Sequence, residues 1–430
     1  MLVIENAPET FQYKVFGAIN GCGKPLTLEE MIKNYLYGII DEQSKQTSDS
    51  SKTAKLKKNA DTIINAGFIK AYTEMIKQYH IAEDSLYDEF KEKIKSVVDI
   101  NTALPYSDLF GVMKGYNNKW KGILNIIRTK DASQDDKELM FWILMYRLLE
   151  VNTADALLLH VFQNAYKDDR EKQIHFMRRL IMLYFLLYVD DPNGNAKKSI
   201  NSKLPVIIKD YSSDPAEALE GENLWEHLII DLVIRNAKDK PEYIFEKLCA
   251  FDLADRTSKK IARFILLLCE LWCGLSIDTA IKKLKSNKPS EIEHIFPANP
   301  DEKKSELLQE AKIKCPEYLS KLENVCLLEQ NINKQVGNKM LKDNKTGEIK
   351  GKLEDKDKAV YSRSEFVMPR MFYDTDGKSG FDPDLVKEIK DIFVYDADCA
   401  KERIEKIKEL FLNPHLSKQF FFKDMLNELK

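Results

Sequence analysis

Glycine and proline are scarce, 16 and 14 of 430 residues, which excludes collagen-like, low-complexity and wholly disordered chains. No run of about eighteen uncharged apolar residues occurs, so no segment reads as a membrane-spanning helix. The richest stretch, Leu180 to Val189, is too short and follows Arg178 and Arg179. Seven cysteines (22, 249, 269, 273, 315, 326 and 399) form an odd, scattered set without a disulfide framework. The N-terminal MLVIENAPETF has neither a basic leader nor an apolar signal core. Free thiols in a reducing cytoplasm are the expectation. A charge excess is missing too. With 66 basic against 69 acidic residues and a net charge of −3, any contact with nucleic acid must come from a local patch.

What is present is ordinary globular material, 44% hydrophobic and 31% charged, enough chain for about two to three domains. Leu, Lys and Glu are plentiful, so the chain should be mostly helical. Thr27 and Glu30 form a capping box ahead of MIKNYLYGII, predicting a helix from Leu28 to about Ile40. The polar stretch Ser44 to Lys52 reads as a loop or linker. From about Ala54 to Leu284, segment after segment places apolar residues at three- and four-residue steps, over faces wide enough to pack as a bundle. Beyond Leu284 the texture changes. EIEHIFPANP and LENVCLLEQ read as short strands and INKQVGNKMLK as a short helix, with further helices expected over 302–312, 384–393, 396–411 and 416–429. The fold class expected is mainly α, a helical bundle (46–288) followed by a small α+β domain (289–430).

Several apparent motifs have plain explanations. GAINGCGK resembles a phosphate loop, but five residues separate Gly17 from Gly23, and Pro25 stands where a Mg²⁺-binding Ser or Thr belongs. Cys269 and Cys273 sit at i, i+4 in an apolar helix with no second pair, which reads as packing and not zinc. His80, His160, His175 and His415 lie in helical patterns without nearby acidic or cysteine partners in sequence. Six histidines among 69 acidic residues give roughly one acidic-His dipeptide by chance, so Glu226-His227, in LWEHLII, carries no message.

Glu293-His294 has a different context: a short strand, a proline three residues after the histidine, and asparagines about thirty and forty residues on. Asn324 opens the strand NVCLL and Asn333 stands in the following helix. Phosphodiester cleavage by a ββα-metal finger needs this set. A histidine on the first strand (His294) takes a proton from water, general-base work that contributes about 10²–10⁴-fold. An amide from the second strand (Asn324) orients its ring. A hard divalent cation, Mg²⁺ with Mn²⁺ as the alternative, takes oxygen ligands from Glu293 and Asn333 and neutralises charge on the phosphate.

These stretches, with YSRSEF downstream, resemble the C-terminal HNH-type nuclease domain of the DUF1524 family, found in GmrSD-type modification-dependent restriction enzymes. In that family a Glu-His-Ile-x-Pro stretch precedes a Gly-Asn-Leu-x-Leu-Leu strand, an asparagine and a lysine-tyrosine-serine tail. The resemblance implies the base role for His294, the orienting role for Asn324 and the metal role for Glu293 and Asn333. Here the strand reads Glu323-Asn324-Val325 without the family's glycine, and a lysine-rich loop precedes Tyr361. Upstream, VFGAINGCGKPLTLEEMIKNYL resembles the end of the DUF262 sensor domain of the same proteins. The sensor's Asp-Gly-Gln-Gln-Arg motif is absent, so residues 1–45 read as a remnant of that domain and nucleotide hydrolysis is not carried over.

Lys334 to Lys352 holds six lysines against Asp343 and Glu348, a local excess of +4 (6 − 2) directly after the proposed metal helix. Lys334, Lys339, Lys342 and Lys345 are the candidates for sequence-independent phosphate contacts. The function expected is a cytoplasmic, metal-dependent DNA endonuclease of anti-phage restriction. Its implied partners are DNA, including modified phage DNA, and a sensor subunit or a second copy of the chain. The alternative is a finger kept only as a fold, in a nucleic-acid-binding or assembly subunit.

Overall fold

In the computed structural model of the chain, the described residues are 26–47, 50–99, 113–118, 121, 132–149, 154–190, 208, 256–272, 274–286, 290–294, 325–338 and 360–371. In chain order the first helices are α1 (Leu28–Thr47), α2 (Ser50–Ile63), α3 (Ala66–Lys77) and α4 (Leu86–Asp99). Then come α5 (Gln134–Leu148), α6 (Asp155–His160), α7 (Arg170–Asp190), α8 (Arg256–Trp272) and α9 (Ile277–Lys285). Strands β1 (Glu291–His294) and β2 (Val325–Leu328) follow, then α10 (Gln330–Val336) and α11 (Val367–Met371). The described part is thus mainly helical with one small two-stranded sheet. None of its helices is long and apolar enough to cross a membrane. The helices expected over 302–312 and beyond 384, the phosphate-loop look-alike, the side chains of Cys269 and Cys273, and Glu226-His227 lie outside the described residues.

The chain divides into two compact units. One comprises residues 1–130, 152–173 and 199–215. In it α3 packs on α6, and α1 on α2, with α4 against both α1 and α3. The capping box at the start of α1 forms as expected: Thr27 N–H donates to Glu30 Oε2 at 2.8 Å and Glu30 N–H to Thr27 Oγ1 at 3.3 Å. The loop expected over 44–52 is corrected. α1 continues to Thr47 and α2 begins at Ser50. Leu56, Ala60 and Ile63, spaced at four and three residues, are buried, and that stripe makes α2 a helix although its first turn is polar. α3 is fixed at both ends. Asn65 Oδ1 accepts from Phe68 N–H at 3.0 Å, and Gln78 closes the helix in a left-handed conformation at φ 60°. Phe68, Ile69, Tyr72 and Met75 form its buried face. His80 does have an acidic partner, Glu74, 2.9 Å from its Nδ1. The left-handed Gln78 folds the chain back over the last turn of α3, a contact that spacing on a helix does not reveal.

The other unit comprises residues 131–151, 174–198 and 216–430. Here α5 packs on α8 and α9, and α8 backs β2. Ser276 caps α9, its Oγ accepting from Thr279 N–H at 3.2 Å. Phe185 of α7 stacks on Phe264 of α8 with ring centroids 5.1 Å apart. β1 and β2 pair antiparallel, with Glu291 opposite Leu328, Glu293 opposite Cys326 and His294 opposite Val325. All four residues of β2 are buried, so this strand is the hydrophobic floor of the unit. α10 follows after a single residue. It begins two residues earlier than the sequence suggests and stops at Val336, because Gly337 adopts φ 53°, a conformation open to glycine without a Cβ penalty.

Candidate functional site: a strand–strand–helix finger

Side chains alternate along a strand. In β1 this sends Glu291 and Glu293 to one face and Ile292 and His294 to the other. α10 packs against β1 and delivers Asn333, whose Nδ2 donates to Glu291 Oε2 at 2.5 Å. Glu293 is 6% exposed and accepts from the Tyr361 hydroxyl at 3.2 Å. Burial first, then the nearby Cys326 and Glu293, pushes the Tyr361 phenol well above its ordinary pKa. It therefore stays protonated and serves Glu293 as a permanent donor.

Of the residues singled out from sequence, then, the structure places Glu293, His294 and Asn333 in one finger. His294 is half-buried at the end of β1. Asn333 meets Glu291 directly, whereas Glu293 is engaged by Tyr361. Lys334 is exposed on the last turn of α10. Asn324, Lys339, Lys342 and Lys345 lie outside the described residues.

The segment 360–371 is fastened to the finger by carboxylates. Glu329, between β2 and α10, accepts Lys283 Nζ at 2.7 Å, Glu365 N–H at 2.8 Å and Ser364 Oγ at 2.8 Å. Lys283 also reaches Glu365 at 2.6 Å, and its hydrogen bond to Glu365, with that of Lys282, lowers the Glu365 pKa. Glu270 of α8 is fully buried and accepts the Val367 N–H and, at 3.2 Å, the Met368 N–H. Desolvation pushes its carboxyl up to about 8, against the opposing pull of those two N–H groups. Beside this seam a cavity of about 610 Å³ opens between the end of α9, Ser290 and the first turn of α10. Its lysines 282 and 283 are paired to Glu365 and Glu329.

Sequence reasoning passed over Glu291, Tyr361, Glu329 and Glu270. Glu291 stands two residues before Glu293, which on a strand means the same face. Glu270 was a single acid inside an apolar helix, and a buried polar group demands partners. Tyr361 and Ser364 lie in the YSRSEF tail, whose part in the site no spacing could show. Glu329 had no local signal.

The donor set suits a hard cation. Among the described residues no group of three or more His, Cys, Asp and Glu side chains is placed to hold a metal ion. A thiolate or imidazole cage of the zinc type is thus not built among the described residues. The Glu293 carboxylate and the Asn333 amide are oxygen donors of the kind that Mg²⁺ takes from a protein, with water and substrate oxygens for the rest.

No curated protein and no solved structure matches the chain. Residues 239–391, which include α8, α9 and the whole finger, match the family model described as GmrSD restriction endonucleases, C-terminal domain. Through that stretch the chain is similar to the C-terminal domain of GmrSD restriction endonucleases.

Proposed function

We propose that the chain is a divalent-metal-dependent DNA endonuclease of the HNH type, acting in the restriction of modified foreign DNA. The observation that carries this reading is the order strand, strand, helix, with the helix returning Asn333 to a carboxylate of the strand that bears His294. His294 takes the proton from the attacking water, and Asn324 holds its ring in one orientation. Glu293 and Asn333 would hold the cation, which supplies neutralisation of the phosphate and of the departing 3′ oxygen. Tyr361 holds the Glu293 carboxylate in place by donating to it. Lys334, with Lys339, Lys342 and Lys345 downstream, contacts backbone phosphates without reading sequence.

His294→Ala is expected to abolish Mg²⁺-dependent nicking of supercoiled plasmid, a loss of about 10²-fold or more, with an unchanged circular dichroism spectrum. Equal cleavage by variant and wild type would remove His294 from the base role. A second reading, a non-catalytic nucleic-acid-binding or assembly subunit, draws on the burial of Glu293 and its engagement by Tyr361. Retained DNA binding without nicking by the wild-type protein, on modified and unmodified DNA alike, would favour it.

A further inference from the structure

β1 turns two carboxylates to one face, and the one that meets Asn333 is Glu291. The contact joins groups forty-two residues apart in sequence, Asn333 Nδ2 to Glu291 Oε2 at 2.5 Å. Its direction has a chemical cause. An ionised carboxylate only accepts hydrogen bonds, so it draws the amide's NH₂ and repels the amide's oxygen. Which end of the amide faces outward is therefore decided by Glu291. The backbone of Asn333 is already committed, its N–H to the Glu329 carbonyl at 2.8 Å and its carbonyl to the Gly337 N–H at 3.0 Å. With the backbone fixed in α10, rotation of the side-chain amide is the remaining freedom. The two amide orientations are nearly the same shape, but only one offers lone pairs to a cation.

We propose that Glu291 is the positioning residue of the cation site: by holding Asn333 Nδ2 it turns Oδ1 toward a divalent cation. The inference rests on the reading of Asn333 as a cation ligand. Among the described residues no donor engages Asn333 Oδ1, so that oxygen is available on the side of the amide away from Glu291. Partners that orient a metal's ligands are worth about 10–100-fold in affinity.

The test is Mn²⁺ binding to the full-length chain without DNA, by titration calorimetry, with metal-free melting curves as the fold control. Glu291→Ala is expected to weaken Mn²⁺ about 10–100-fold. Glu291→Gln, whose carbonyl still accepts the Asn333 N–H but whose amide can also pair with Oδ1, is expected to recover most of that loss. Wild-type affinity in Glu291→Ala overturns the proposal. Gln as weak as Ala also overturns it, because the carboxylate would then be a direct ligand. Should the alanine variant not fold, the glutamine variant decides alone: binding within about five-fold of wild type supports positioning, and a larger loss refutes it. Asn333→Ala separates the two levels. If it binds Mn²⁺ like wild type, the reading of Asn333 as a ligand fails, and the role of Glu291 falls with it.

Discussion

The helices around α3 and the finger around β1 are stabilised by different physics. α3 is a twelve-residue helix with a continuous apolar face and local caps at both ends. The finger is made of two four-residue strands and a seven-residue helix. Elements that short cannot stand on buried area or intrinsic propensity alone. The finger is instead tied by buried or half-buried carboxylates: Glu270 to the start of α11, Glu293 to Tyr361, and Glu329 to Ser364, Glu365 and Lys283. A candidate site built this way has its directional groups already fixed by their partners. It also depends on each of these acidic groups keeping its partners.

The sharpest way to break the comparison is to empty the apolar core around α3. Phe68, 0% exposed, truncated to Ala should destabilise its unit by about 3–5 kcal/mol. Hydrogen exchange read by mass spectrometry should speed up across α3 and α6 and stay unchanged in the β1 and β2 peptides. Equal acceleration in the finger would show that the two regions do not differ as described.

A smaller effect is expected from the finger's own clamp. Glu329→Ala leaves Lys283 with Glu365 and frees Ser364 and the Glu365 N–H, for a loss of about 1.5–3 kcal/mol, the range for hydrogen bonds to a charged group. Exchange should rise in 360–371 and nicking should fall together, while α3 is unaffected. Unaltered exchange in that segment would mean the clamp does not hold it.

The mildest test is pH. The Glu270 carboxyl is raised to about 8 in the fold against an ordinary 4.5, so between those values the folded chain binds a proton that the unfolded chain has released. Stability from this group is full below about 4.5 and is lost as pH rises through about 8. Segment 360–371, corrected for intrinsic exchange rates, should therefore be better protected at pH 6 than at pH 8.5. Glu270→Gln, permanently neutral, should flatten that dependence. A wild-type slope that persists in the variant would assign the titration to another group.

Much of the frame was readable in one dimension because it is set by near neighbours. The Thr27–Glu30 box and the apolar periodicity that begins near Ala54 follow from residues three and four apart. The strand–strand–helix order showed in EIEH, VCLL and the helix around Asn333. The linker expected over 44–52 was misread because its polar residues are local, whereas Leu56, Ala60 and Ile63, which fix α2, come later. In the candidate site, spacing anticipated the places of His294 at the end of β1 and Asn333 in α10, while their roles are what the resemblance implies.

The partners of those residues were not legible. Glu291 with Asn333, Tyr361 with Glu293, and Glu329 with Ser364 join positions 42, 68 and 35 residues apart. Helical and strand periodicity determined which side chains share a face, since that depends only on the repeat of the backbone. Which carboxylate meets which amide or phenol depends on how separate segments close in space, and the tertiary structure alone decided it.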